Sequence, residues 1–97
     1  MRYEDFIKSL TQDSPPVSLP PFLAALWYDA KGDWEAAHEL INDLDGKKEA
    51  WVHAYLHRKE GDTGNAGYWY RRAGKEITTL SLQEEWEDIT RALLNAG

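Results

Sequence analysis

Ninety-seven residues, 42% of them apolar and 12% aromatic, suit a single domain that buries a core without covalent staples. The chain has no cysteine, which excludes disulfides and thiolate metal ligands, and no apolar run reaches the roughly 18–20 residues of a membrane span. Its formal net charge of −6 argues against a partner gripped through phosphates, so neither nucleic acid nor membrane is expected as a partner.

Residues 3–10 place Tyr3, Phe6, Ile7 and Leu10 at spacings of three, four and seven, which predicts a short amphipathic helix that must dock to persist. Glu4 and Asp5 stand where a secretion signal would be basic and then apolar, so a cytoplasmic location is expected. All four prolines fall within residues 11–21, an extended connection whose last two prolines can occupy the first turn of the next helix. That helix is predicted from Pro21 to Lys31. Gly32 permits a left-handed end, and Asp33 can cap a helix over residues 34–44 with the apolar face Trp34, Ala37, Leu40, Ile41 and Leu44. Asp45-Gly46 marks a turn, and Lys47 or Lys48 opens the next helix. The Gly32-Asp33 signal then recurs as Gly61-Asp62, 29 residues on. Under that offset Ala25 aligns with Ala54, Ala37 with Ala66, and Ile41 with Tyr70. The small pairs allow two helices to approach closely, and the large pair seals the end, a signature of repeated helix–turn–helix units. Ser81 and Glu84 form a capping box ahead of a last helix striped by Leu82, Trp86, Ile89 and Leu93.

GDWEAAHELI, residues 32–41, resembles the turn and second helix of a tetratricopeptide repeat (TPR), and AYLHRKEGDTGNAGYWY, residues 54–70, is similar to a degenerate second copy. The resemblance implies an all-α domain with two TPR-like antiparallel helix pairs, over residues 20–45 and 47–74. A short N-terminal helix would precede them, and a capping helix over residues 81–96 would cover the last open face. It also implies a peptide or protein partner held in a concave groove.

In that register Phe22, Leu26, Trp51, Tyr55 and Arg58 line the groove, unless residues 1–17 fill it. Tyr68, with Arg71 and Arg72 three and four residues on, offers a second cationic and aromatic surface. Residues 54–75 carry five cations against Glu60 and Asp62, a local +3 in an acidic chain. Trp51, Tyr55, Arg58, Tyr68, Arg71 and Arg72 are therefore the expected partner-binding residues. His53 and His57, one helical turn apart, form a polar cluster at the seam with the paired helix, where the first pair has Ala24 and Tyr28. Each ring is expected to donate to a carbonyl or carboxylate there. The alternative is an anion or metal site built on His53, His57 and Arg71, with His38 as a third imidazole ligand. No HExxH, no phosphate-cradling loop and no Ser-His-Asp spacing is present. A non-enzymatic module is expected, with no catalytic residue, no metal and no cofactor assigned. The spacing does not address oligomeric state.

Overall fold

The computed structural model describes residues 1–95, which contain six α-helices and no strand. These are α1 (Tyr3–Ser9), α2 (Pro21–Ala30), α3 (Trp34–Ile41), α4 (Lys47–Lys59), α5 (Thr63–Ala73) and α6 (Leu82–Asn95). Residue 96, the expected end of the last helix, lies outside the described residues.

Local chemistry sets most of these boundaries. Pro21 opens α2, where its missing N–H costs nothing. Gly74 closes α5 in the left-handed conformation at φ 71°, and the Lys75 N–H reaches back to the Tyr70 carbonyl. Before α6, Glu84 N–H donates to Ser81 Oγ at 3.1 Å while Ser81 N–H donates to Glu84 Oε1 at 3.0 Å, a complete capping box. α3 is shorter than its apolar stripe predicts. It ends at Ile41, ahead of Asn42 and Asp43, whose side chains favour turns over helix interiors, and Leu44 is left at the surface.

The two Gly-Asp turns are the same structure twice. Gly32 and Gly61 have φ of 85° and 90°, values that side chains rarely adopt. Asp33 accepts from Ala36 N–H at 3.1 Å, and Asp62 accepts from Asn65 N–H at 3.2 Å. The backbone bonds from Asp33 to Tyr28 and from Asp62 to His57 are both 2.9 Å. Every partner is displaced by the same 29 residues. The flanking alanines Ala25, Ala37, Ala54 and Ala66 are all buried, which gives the close helix approach that small residues permit.

α2 packs chiefly on α3, and α4 chiefly on α5; contact between α3 and α4, and between α2 and α4, joins the two pairs. α6 makes its helix contacts with α1, α2 and α4. It meets α5 through the Tyr70 hydroxyl and Glu85, and its body lies along the face where the sequence places a groove. Trp86 anchors it there, with its indole N–H donating to the Leu26 carbonyl at 3.0 Å and its ring stacked on Phe6 of α1. The core thus runs from Phe6 through Leu26, Trp27, Leu56 and Trp86 to Ile89, and all six are buried.

Candidate functional site

The groove-lining residues divide once α6 is in place. Leu26 is fully buried, and Tyr55 is 2% exposed, with its hydroxyl donating to Asp29 Oδ2 at 3.0 Å. Burial first, and the Asp29 carboxylate second, push the Tyr55 phenol far above its ordinary value, so it keeps the proton that it donates to Asp29. Arg58 donates to Glu85 Oε1 at 2.8 Å and to the Leu80 carbonyl. Tyr70 donates to the other oxygen of the same buried Glu85, and burial followed by that bond raises its pKa as well. Tyr55 and Arg58 are therefore spent on holding the chain together, and the groove is filled by α6 together with Phe6 of α1. Phe22 stays half-buried at its edge, with Lys48 Nζ 5.2 Å from the ring centre.

Trp51 alone of the expected anchors on α4 retains a free side. Lys75 Nζ sits 4.1 Å from its ring centre, and a cleft of about 360 Å³ opens beside it, lined also by Lys47, Lys48, Ala73, Ala92 and Leu93. A second cleft, about 540 Å³, shares Trp51 and Lys75 and continues along residues 76–79. Sequence reasoning missed this arrangement. Lys47 and Lys48 read only as the start of a helix, and nothing local brings them to Lys75.

Tyr68, Arg71 and Arg72 lie on the outer face of α5. Arg72 donates to the Tyr68 hydroxyl at 3.2 Å and lies 5.4 Å from the Trp69 ring centre, so the expected cationic and aromatic pairing is present. Arg71, beside Gly67 and Ile77, is not part of the histidine cluster.

The third place in that cluster belongs to His38 of α3. One ring nitrogen from each of His38, His53 and His57 lies within 4.8 Å of the others. The His38 and His53 Nε2 atoms are 3.0 Å apart, and the ring centres form a triangle of 4.8, 4.8 and 5.2 Å. Trp34 stacks on His38 and Trp69 on His53, closing the cluster between two indoles. His57 Nδ1 faces Glu60 Oε1 at 2.7 Å, a contact within the end of α4 rather than one across a helix seam. His53 departs from the expected carbonyl or carboxylate contact: it is 3% exposed, and its Nδ1 has no hydrogen-bond partner. Burial, followed by the neighbouring His57 and His38, pulls the His53 pKa down to about 4. His38 is lowered too, by burial first and His57 second. His53 is therefore a neutral imidazole near pH 7, with lone-pair capacity held in a confined space.

Against protein-family models, curated proteins and solved structures, the chain shows no significant match.

Proposed function

We propose that the chain is a TPR-like interaction module that binds an acidic peptide segment of a partner protein beside Trp51. The Trp51 cleft carries this reading: its lining combines Ala73, Ala92 and Leu93, a half-buried indole, and three lysines, Lys47, Lys48 and Lys75. Such a seat suits an apolar or aromatic side chain flanked by carboxylates, because the indole supplies contact area and the lysines supply sign. The adjoining cleft adds Ile77, 67% exposed, but also Glu76, Glu85 and Asp88, so the carboxylates of the peptide belong on the lysine side of Trp51. The matching Gly-Asp turns and buried alanines support the TPR-like part of the reading. Tyr55 and Arg58 drop out of the contact surface, and Trp51 remains its centre; Tyr68, Arg71 and Arg72 form a separate face available to a larger partner.

The test is fluorescence anisotropy with labelled peptides that carry a central aromatic residue flanked by acids, by bases or by neutral residues. The acidic peptide should bind with strong salt sensitivity. A K47E/K48E/K75E variant should weaken it at least about tenfold with little change in melting temperature. Equal binding of acidic and basic peptides, or unchanged binding in the triple variant, would sink the proposal.

A further inference from the structure

We propose that His38, His53 and His57 form a binding site for one late first-row divalent ion, zinc being the fitting case, that fastens α3 to α4. Several independent features of the seam lead there. Packing does not call for imidazoles at these positions, because the equivalent seats in the first helix pair hold Ala24 and Tyr28, and the counterpart of His38 in α5 is Gly67. Three rings have nevertheless converged between two indoles.

Their separation has the scale of a coordination shell. Two imidazole nitrogens bound at about 2.0–2.1 Å to one tetrahedral ion stand roughly 3.3–3.4 Å apart. The His38 and His53 Nε2 atoms are 3.0 Å apart, so a few tenths of an ångström of opening would admit an ion between them. The third ring is prepared by its own carboxylate. With Nδ1–H directed at Glu60, a neutral His57 ring would offer its Nε2 as a lone pair, the outer-shell arrangement that fixes a ligating imidazole. Glu60 is exposed enough to follow a small ring movement. Asp62 lies near His57 and Glu60 but is occupied in capping Asn65.

Without an ion, the facing His38 and His53 rings are joined by a single weak bond. Only one of the two facing Nε2 atoms can carry the proton between them. If His38 donates, His53 Nδ1 carries a buried N–H with no acceptor; if His53 donates, its Nδ1 is a buried lone pair with no donor. Either way the seam holds a buried ring whose one bond to His38 is neutral and weak, a poor return for its desolvation. An ion would replace that single bond with direct ligation by both rings. The shared proton would move to the outer nitrogen of its ring, and two direct metal–nitrogen bonds would offset the His53 Nδ1–H that stays without an acceptor among the described residues. Nitrogen ligands with no thiolate and no carboxylate in the inner set select zinc, nickel, copper or cobalt over magnesium and calcium. The joined elements belong to different helix pairs, so the ion would lock the angle between the pairs and with it the frame that carries Trp51.

The experiment is a titration of the metal-free full chain with zinc against a chromophoric chelator, repeated with cobalt to read its visible spectrum and with magnesium as a control. One zinc per chain is expected, together with a cobalt spectrum of the intense tetrahedral type, a higher melting temperature and no response to magnesium. Half-exposed His38 permits H38Q, a variant whose metal-free circular dichroism should match the parent and whose zinc affinity should fall by about 100-fold or more. E60Q should retain one zinc with affinity lowered by about 10–100-fold. Absence of binding at one equivalent of both zinc and cobalt overturns the site. So does zinc binding that H38Q leaves unchanged, because the ion would then sit elsewhere, such as at the exposed Glu60–Asp62 rim.

Discussion

Two buried carboxylates show how single residues hold this protein together. Asp29 accepts from Tyr55 at 3.0 Å and from Lys59 at 3.0 Å, and Glu85 accepts from Arg58 and Tyr70. Each is only 2% exposed, so removing a donor leaves a charge that water cannot reach. Y55F should cost about 1.5–3 kcal/mol in urea unfolding, the range for a bond to a charged group. E85A should cost about 3 kcal/mol, toward the low end for a broken buried pair because Arg58 retains some access to water. His53 produces a pH effect of defined sign. In the metal-free protein its pKa falls from the ordinary 6.5 to about 4, so between those values the unfolded chain binds a proton that the folded chain refuses. Stability is therefore complete above pH 6.5 and drains away as the solution is acidified towards pH 4, by on the order of 3 kcal/mol. H53Q should flatten that slope in melting curves recorded across the window; a parent protein equally stable at both ends would refute the assignment.

At the scale of elements, the protein reuses one device at each change of direction. The turns at Gly32-Asp33 and Gly61-Asp62 share backbone angles, caps and hydrogen bonds, so equivalent substitutions should cost equal amounts. G32A and G61A have open space around the added methyl group but force alanine to a left-handed φ, at about 1–2 kcal/mol each. D33A and D62A should each cost about 1 kcal/mol through the lost cap. Paired unfolding curves test the parity, and a large difference within either pair would show that the turns carry unequal tertiary load. The repetition extends to the links between successive helices. Asp29 of α2 and Arg58 of α4 are equivalent under the 29-residue offset, and each makes the charged bond to the next helix in the row.

Across the whole molecule, α6 decides which surfaces remain free. Trp86 joins α6 to both α1 and α2, so W86A should cost about 3–5 kcal/mol. A chain ending before residue 82 should lose cooperative unfolding, because Leu26 and Tyr55 would face water. A stable truncated chain that binds peptides at Tyr55 would restore the original groove. The sequence by itself determined the six helices, both Gly-Asp turns, the capping box and the repeat offset. Those features depend on caps, glycines and apolar spacing among residues a few positions apart, where neighbours in the chain are neighbours in space. It placed His53 and His57 at the seam with their own paired helix and offered His38 only as a third ligand in one alternative, because nothing within α3 points that ring across to α4. Only tertiary structure decided that α6 occupies the groove, that Tyr55 and Arg58 turn inward, that Lys47, Lys48 and Lys75 line one cleft, and that three imidazoles meet. Each of these contacts joins residues far apart in the chain, and choosing among the apolar faces that α6 could cover requires comparing packed surfaces that no local pattern encodes.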